Sequence, residues 1–195
     1  MTPEDVIAKF RMTGALLEGH FVLSSGLHSS TYLQCAIALQ QPSVAAVFGA
    51  AIAERVREQN VQTIAAPAIG GIIIGYEVAR SLDVRFIWTE REQGTMSLRR
   101  GFAVAPGERI LVVEDVITTG GSTRETIEVL TAAGADVVSA ASIIDRSGGN
   151  ADVGVPRLAL ATLEVPALDP SICPACARGE LAIKPGSRTA VNRKQ

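Results

Sequence analysis

The middle of the chain repeats one pattern: an apolar run of strand length, a glycine turn, then apolar residues at helical spacing. The first repeat begins with the run 63–66, turns at Gly70-Gly71 and leads to a second apolar run at 84–88. Residues 109–115 begin the second repeat, which ends in the apolar run 135–145. This alternation predicts a parallel sheet covered by helices, with right-handed crossovers.

Charge and hydropathy exclude several classes of protein. The 195 residues include 18 basic and 20 acidic side chains, a net charge of −2, and no run of Lys or Arg. We therefore expect no nucleic-acid partner. No apolar stretch approaches membrane-spanning length, and the N-terminus lacks the basic and apolar regions of a leader, so we expect a cytoplasmic protein without a membrane partner. The only lysines are Lys9, Lys184 and Lys194.

The two ends of the chain differ from its middle. Thr2, Pro3 and Asp5 predict a capped first helix that ends near Gly14. Residues 20–34 predict two short strands and a turn, and the chain from 168 onward is irregular and proline-containing. We therefore expect an N-terminal hood segment at 1–40, a core at 41–165 and a C-terminal tail at 166–195.

The segment 110–122 contains the residues most informative about chemistry. Four apolar residues predict a buried strand, and Glu114 and Asp115 follow where that strand reaches the usual ligand side of an α/β sheet. A turn of hydroxyls and glycines, 118–122, then leads into a helix. Unpaired backbone N–H groups and the helix dipole at such a helix start favour a phosphate.

The two carboxylates would repel a phosphate, so they suit sugar hydroxyls or a magnesium ion bridging to them. A phosphorylated sugar therefore fits this segment. The segment is neither a Walker loop nor a dinucleotide fingerprint, because the required Gly-Lys-Ser/Thr and Gly-x-Gly-x-x-Gly patterns are absent. The alternative is an ordinary helix cap preceded by acidic residues at a strand end.

This segment resembles the phosphoribosyl diphosphate motif of the type I phosphoribosyltransferases, in the version of the orotate phosphoribosyltransferase branch. Further resemblance to that branch is spread over the chain: 19–29 is similar to its orotate-side segment, 66–71 to its diphosphate loop, 96–102 to its flexible loop and following strand, and 144–146 to its base-recognition strand end. Such a resemblance implies an α/β fold with a Rossmann-like type I phosphoribosyltransferase core, a parallel sheet flanked by helices, and a small hood from the N-terminal segment and the C-terminal tail.

The implied reaction transfers ribose 5-phosphate from phosphoribosyl diphosphate to N1 of orotate, giving orotidine 5′-monophosphate and diphosphate in pyrimidine biosynthesis. The implied phosphoribosyl diphosphate residues are Glu114, Asp115, Val116, Ile117, Thr118, Thr119, Gly120, Gly121 and Ser122. Those implied for orotate are Thr118, Arg146, Ser25 and Gly26, and those of the diphosphate loop are Ala68, Ile69, Gly70 and Gly71. An arginine fork matches a carboxylate such as that of orotate, whereas the alternative for Arg146 is a solvated charge beside Asp145.

The resemblance also implies Mg²⁺, held mainly through the substrate rather than by a metal site of the protein, and a homodimer with shared active sites. Catalysis is expected to be electrostatic and positional, with Glu114 and Asp115 at the ribose. Family members carry lysine at the positions of Ser24 and Gly70 and in the polar segment 90–100, where this chain has none. We therefore expect Arg91, Arg99 or Arg100 to supply the loop cation. We expect the segment 90–100 itself to be a mobile loop or a short hairpin; a solvated face is the alternative for each arginine.

Two other functions share parts of these features. A purine phosphoribosyltransferase would use the same phosphate loop, but the orotate-side segment and Arg146 argue against it. A non-catalytic regulator that senses phosphoribosyl diphosphate would keep the fold, but such regulators usually add a DNA-binding module, for which this chain has no spare domain or basic face.

The pair Cys173 and Cys176 has the spacing of a zinc or redox motif. Zinc requires four ligands, and the remaining candidates Cys35, His20 and His28 lack a paired spacing. We interpret the two thiols as part of a turn and short helix start. For the two histidines we favour hydrogen-bonded structural roles over one in the orotate pocket.

Overall fold

The computed structural model describes residues 1–23, 25–165 and 167–185, and within them the chain alternates helices and strands. The helices are α1 (Pro3–Met12), α2 (Cys35–Leu39), α3 (Pro42–Val56), α4 (Gly70–Leu82), α5 (Gly121–Ala132) and α6 (Pro174–Ala177). The strands are β1 (Leu16–Val22), β2 (His28–Leu33), β3 (Thr63–Pro67), β4 (Arg85–Glu92), β5 (Thr95–Leu98), β6 (Arg109–Ile117), β7 (Asp136–Asp145) and β8 (Arg157–Thr162). Single 3₁₀ turns lie at Arg57–Gln59 and Pro170–Ile172.

The chain divides into two compact units. The first unit comprises Met1–Ala15 and Gln34–Glu164, and the second comprises Leu16–Leu33 and the chain from Val165 onward. Helix α1 thus belongs to the first unit, where it packs against β8, whereas we expected residues 1–40 to form one hood segment.

The central sheet of the first unit has six strands in the order β5-β4-β3-β6-β7-β8. All neighbours are parallel except β4 and β5. The chain moves outward in one direction from β3 to β4 and in the other from β6 to β7. Strands β3 and β6 therefore flank the switch point, where open α/β sheets bind ligands beyond the carboxyl ends of the strands.

Both faces of this sheet are covered. Residues Ala65, Ile110 and Val112 pack with Ile127 and Leu130 of α5. Because side chains alternate along a strand, their neighbours Ile64, Leu111 and Val113 point to the opposite face, where α3 and α4 pack on the sheet. All of these strand residues are fully buried. The two repeats predicted from the sequence are confirmed as β3–α4–β4 and β6–α5–β7.

The polar segment 90–100 is mostly a hairpin in this structure. Strand β5 pairs antiparallel with β4, from Thr89 opposite Leu98 to Glu92 opposite Thr95. Gln93 and Gly94 form the two-residue turn with φ of +51° and +87°, the left-handed conformations that such a turn requires. The hairpin alternative is therefore the correct one, and it adds an antiparallel edge strand to the sheet.

The second unit contains the β1–β2 hairpin. The strands pair antiparallel from Leu16 opposite Leu33 to Val22 opposite His28. Ile183 forms a parallel bridge with Phe21 beside β1, and Leu168 an antiparallel bridge with His28 beside β2. The strand–turn–strand prediction for 20–34 is confirmed.

At the N-terminus, the predicted cap of α1 is also confirmed. The Thr2 hydroxyl accepts from the Asp5 backbone at 3.3 Å, and the Asp5 carboxylate accepts from the Thr2 backbone at 2.9 Å. None of the described helices is both long enough and apolar enough to cross a membrane.

Candidate active site

The carboxyl end of β6 leads into the start of α5 through a turn of two exposed threonines and a buried glycine. Gly120 has a φ of +76°, and a Cβ at this position would lie 2.7 Å from Cγ1 of Val153. Only glycine satisfies both constraints without a shift. Helix α5 begins at Gly121, so the N–H groups of its first turn lack partners within the helix. The turn and the helix start together provide a site suited to a phosphate.

Glu114 and Asp115 form an acidic pair just before this turn. The Asp115 backbone donates to Glu114 Oε1 at 3.2 Å, and the Val116 backbone donates to Asp115 Oδ1 at 2.8 Å. Burial raises the pKa of both carboxyls, and for Glu114 the neighbouring Asp115 raises the pKa further. Among the described residues, no basic side chain forms a salt bridge with either carboxylate. The pair therefore lacks a neutralising protein cation and is suited to hydroxyl donors or to a hard cation.

The turn between β3 and α4 reaches the acidic pair from the neighbouring strand. Its Ala68–Ile69 peptide bond is cis. A Cβ on Gly70 would lie 2.8 Å from Asp115 Oδ1, and a Cβ on Gly71 would lie 2.7 Å from the Val113 carbonyl oxygen. The glycines therefore let this turn, 68–71, approach the acidic pair more closely than any side chain would permit.

Arg146 lies at the end of β7, next to the turn after β6. Its backbone N–H donates to the carbonyl of Ile117 at 2.8 Å. The neighbouring carboxylate of Asp145 is instead paired with Arg157, Nη1 to Oδ2 at 2.8 Å, and it also accepts from Ser147. Nε of Arg146 is buried and has no hydrogen-bond partner among the described residues. A buried donor without a partner is rare and is consistent with a ligand acceptor at this position.

Cys35, at the start of α2, is a neighbour of the acidic pair that sequence reasoning missed. Its side chain is 2% exposed, and its thiol lies near the Asp115 carboxylate. The pKa of this thiol is raised well above its usual range, mainly by burial and to a smaller extent by the charges of Asp115 and Glu114. The sequence offered no local signal for this contact, because the two residues are joined only through the packing of α2.

Comparison with known proteins identifies the family. The model of the phosphoribosyl transferase domain matches residues 37–155. The orotate phosphoribosyltransferase of Desulforamulus reducens is 53% identical over 188 residues, which cover 96% of this chain and 98% of that protein. That of Thermotoga maritima is 54% identical over 176 residues, covering 90% of this chain and 94% of that protein. The chain belongs to the orotate phosphoribosyltransferases.

Solved structures of orotate phosphoribosyltransferases agree in fold. The crystal structure from Aeropyrum pernix has a TM-score of 0.66 and 29% identity, covering 81% of this chain and 93% of that one. The enzyme of Mycobacterium tuberculosis in complex with 5-phospho-alpha-D-ribosyl 1-diphosphate has a TM-score of 0.65, with 83% and 97% coverage; at 19% identity it supports the fold alone. The predicted family, enzyme class and α/β fold with flanking helices are confirmed.

The three arginines predicted as loop cations of this orotate phosphoribosyltransferase all lie on or beside the β4–β5 hairpin. Each is paired with a glutamate: Arg91 with Glu125 at 2.7 Å, Arg99 with Glu92 at 3.2 Å, and Arg100 with Glu90 at 2.6 Å. The hydrogen bond from Arg100 lowers the pKa of Glu90 to about 2. In the described structure, none of the three contacts the acidic pair.

Two residues predicted to contact orotate lie in the second unit. Ser25 and Gly26 are exposed in the turn between β1 and β2, where Gly26 has a φ of +84° and donates its N–H to the Leu23 carbonyl at 2.9 Å. Ser24, where family members carry lysine, lies outside the described residues.

Proposed function

We propose that this chain transfers the ribose 5-phosphate group of phosphoribosyl diphosphate to orotate. The bond between ribose C1 and the diphosphate oxygen breaks, a bond from C1 to N1 of orotate forms, and the N1 proton is lost. The products are orotidine 5′-monophosphate and diphosphate. The observation that carries the proposal is the meeting of an acidic pair, a helix start suited to phosphate and an arginine with a buried Nε near the sheet's switch point, in a chain of this family.

We assign the 5-phosphate to the turn and helix start at 118–122. Five consecutive residues there offer backbone N–H groups and three hydroxyls, from Thr118, Thr119 and Ser122, and the helix dipole favours negative charge. The turn 68–71 would hold the diphosphate, because its glycines leave room beside the acidic pair. These assignments extend the sequence-based prediction.

Glu114 and Asp115 would accept hydrogen bonds from the ribose 2- and 3-hydroxyls. As the diphosphate leaves, positive charge develops at C1, and carboxylates fixed nearby stabilise that charge more than they stabilise the neutral sugar. Folding already holds the two carboxyl groups in their buried positions, and the energetic cost of burying them is part of the free energy of folding. They therefore need no rearrangement during the reaction.

Arg146 would bind the orotate carboxylate, and Thr118 would lie beside the same ring. The buried Nε of Arg146 has no acceptor among the described residues, and a guanidinium gains most from a planar anion that accepts two of its N–H bonds. Ser25 and Gly26 remain in the proposal as further orotate contacts.

Magnesium fits the donor set of this site. Glu114 and Asp115 would supply hard oxygen ligands, neither of them in a salt bridge with a basic side chain that the structure describes, and phosphate oxygens of the substrate would provide the rest. When bound, Mg²⁺ offsets negative charge on the leaving diphosphate. Arg91, Arg99 and Arg100 would add cations from the hairpin, which requires each to leave its present glutamate partner.

We further propose that the protein is a homodimer and is cytoplasmic. Ile73 and Tyr76 are exposed apolar residues three positions apart on α4, and exposed Ile69 immediately precedes the helix. An exposed apolar patch of this kind suits a contact with a second copy. Shared active sites would follow if the hairpin of one subunit reached the site of the other.

A direct assay distinguishes this function from its alternatives. Purified protein is mixed with Mg²⁺, phosphoribosyl diphosphate and orotate, and the loss of orotate absorbance is followed, with adenine, hypoxanthine and uracil as alternative acceptors. Orotate should be consumed and the other bases should not. Consumption of a purine instead would indicate a purine phosphoribosyltransferase. Binding of phosphoribosyl diphosphate without turnover of any base would indicate a sensing regulator.

A further inference from the structure

Four potential metal ligands, none of them assigned a role above, come together in the second unit. His20, His28, Cys173 and Cys176 each direct one ligand atom to a common centre, and these atoms all lie within 4.8 Å of one another. Their positions along the chain gave no sign of this, because 153 residues separate His20 from Cys173. Strand pairing places His28 opposite Val22, two residues beyond His20, and the bridge from Phe21 to Ile183 brings the tail alongside.

The separations match those of a tetrahedral site. The ring nitrogens His20 Nε2 and His28 Nδ1 lie 2.8 Å apart. Sγ of Cys176 lies 3.2 Å from His28 Nδ1 and 3.7 Å from His20 Nε2, and Sγ of Cys173 lies 3.5 Å from His20 Nε2. Bonds of about 2.0 Å to nitrogen and about 2.3 Å to sulfur at tetrahedral angles place ligand atoms roughly 3.3–3.8 Å apart. Of these four separations, only that between the two nitrogens is well below this range, and the other two pairs lie within 4.8 Å.

Contacts around the cluster orient its ligand atoms for metal binding. His20 Nδ1 lies 2.9 Å from the Glu180 carbonyl oxygen. A carbonyl can only accept, so Nδ1 carries the proton and Nε2 presents its lone pair to the centre. Cys173 is the N-cap residue of the short helix α6 and Cys176 lies within that helix, so one turn presents both thiols. This is the arrangement of a CPxC turn, with Pro174 and Ala175 between the two cysteines.

Apart from the cluster, the second unit buries few of its described side chains. Its buried described residues are His20, Phe21, Ser29, Leu33 and Cys173, and two of these five belong to the cluster. Ile172, Ile183 and Leu181 are exposed. A unit this small with so few buried apolar side chains commonly depends on a metal or disulfides for stability.

We propose that His20, His28, Cys173 and Cys176 bind one structural Zn²⁺ ion. Two imidazoles and two thiolates in tetrahedral positions are characteristic of zinc, and four protein ligands leave no open position for catalysis. The ion would join the β1–β2 hairpin to the tail within the second unit. A cavity of about 190 Å³, lined by residues such as Ser30, Arg178 and Glu180, adjoins the ligands and offers a path of entry.

Metal content tests the proposal without reference to catalysis. The protein is purified in metal-depleted buffer and analysed by inductively coupled plasma mass spectrometry. We expect one zinc per chain, less than a tenth of that in Cys176→Ser and His28→Ala, and one zinc per chain in the matched control Cys35→Ala, whose cysteine lies outside the cluster. Zinc absent from the wild-type protein and not taken up when supplied, or zinc retained in both ligand variants, would overturn the proposal.

Cobalt substitution and thiol chemistry keep the test decisive if a variant fails to fold. Wild-type protein stripped by a chelator and loaded with Co²⁺ should show the intense visible bands of a tetrahedral ion and a thiolate-to-cobalt charge-transfer band. Cys173 and Cys176 should resist alkylation when Zn²⁺ is bound and react after its removal. A disulfide between them in protein purified without reductant, or octahedral cobalt spectra, would count against a zinc site.

Discussion

Gly70 approaches Asp115 so closely that a single added methyl group would come within 2.8 Å of the Asp115 Oδ1 atom. The turn after β3 therefore packs directly against the acidic pair of β6. This close packing is possible because position 70 has no side chain. Any side chain at this position would require the Asp115 carboxylate to move.

Gly70→Ala should therefore impair the use of phosphoribosyl diphosphate more than it impairs folding. Displacement of Asp115 by a fraction of an ångström is expected to lower kcat/KM for this substrate about 10- to 100-fold. Steady-state kinetics and thermal unfolding check the two effects. The matched control is Gly75→Ala in the same helix, where a Cβ would lie 2.6 Å from Cε2 of Phe86 and should lower Tm without a selective change in substrate use. Wild-type kinetics in Gly70→Ala would contradict the argument.

Glu114→Gln should make the free protein more stable at neutral pH while abolishing turnover. Burial raises the pKa of Glu114, so the folded state binds its proton more tightly than the unfolded state does. Stability is then greatest while the carboxyl is protonated and falls as the pH rises from the ordinary value of 4.5 toward the raised pKa. The amide cannot ionise, so the gain at neutral pH should be about 0.5–2 kcal/mol.

Denaturant unfolding at about pH 5 and about pH 8 measures this difference. Wild-type protein should lose stability between the two, and Glu114→Gln should lose less. Glu128→Gln, at an exposed position on α5, is the control and should keep the wild-type pH dependence. The prediction fails if Glu114→Gln is less stable than wild type at the higher pH.

Arg146→Ala should weaken orotate binding selectively. The loss of hydrogen bonds to a charged acceptor corresponds to about 1.5–3 kcal/mol, or about 10- to 150-fold in the KM for orotate, with the KM for phosphoribosyl diphosphate little changed. Arg146→Lys should recover only part of the loss, because an ammonium cannot form the paired N–H contacts. As a contrast, Arg157→Ala removes the partner of the buried Asp145 and should lower Tm. Equal effects on both substrates in Arg146→Ala would point to a structural role.

Replacing Arg91, Arg99 and Arg100 together by alanine should lower kcat at least about tenfold. The three ion pairs lie on exposed side chains, and exposed pairs contribute little to stability, so Tm should change by only a few degrees. Since an arginine does not release its proton, the pH profile of the residual activity should keep its shape. Turnover at the wild-type rate would show that the hairpin cations have no part in the reaction.

Mixing two impaired variants tests whether subunits share their sites. Asp115→Asn and the triple arginine variant should together exceed the summed activity of the two alone when subunits exchange, because some mixed dimers contain one intact site. Sedimentation of each variant checks that dimers form. No recovery from exchanged dimers would mean that each subunit supplies all residues of its own site.

Local patterns in the sequence were enough to predict most of the first unit. Apolar runs and glycine turns located β3–α4–β4 and β6–α5–β7, and the chemistry of the segment 110–122 indicated a phosphorylated sugar before any comparison. Contacts between distant segments could not be predicted in this way. Cys35 reaches Asp115, and His20 reaches Cys173, only because separate elements pack together, and no periodicity records such packing.

The pairing of charged side chains could not be predicted from the sequence either. Asp145 precedes Arg146 in the chain, and a solvated charge at Arg146 beside Asp145 was the simplest alternative. The structure pairs Asp145 with Arg157 and leaves Arg146 Nε without a partner among the described residues. The partner of Asp145 comes from β8, the strand that begins at Arg157 and pairs with β7. The segment 157–162 has no glycine turn before a helix and does not repeat the pattern of the preceding units.

The second unit is discontinuous: Leu16–Leu33 emerge from the ribosome long before the chain from Val165, and Gln34–Glu164 are made in between. During synthesis the two histidines of the β1–β2 hairpin therefore lack their cysteine partners until the central sheet has been translated, and that sheet can fold in the meantime. The second unit can thus be completed only after the chain has been made past Cys176. Zinc bound at that stage would stabilise the second unit late in folding.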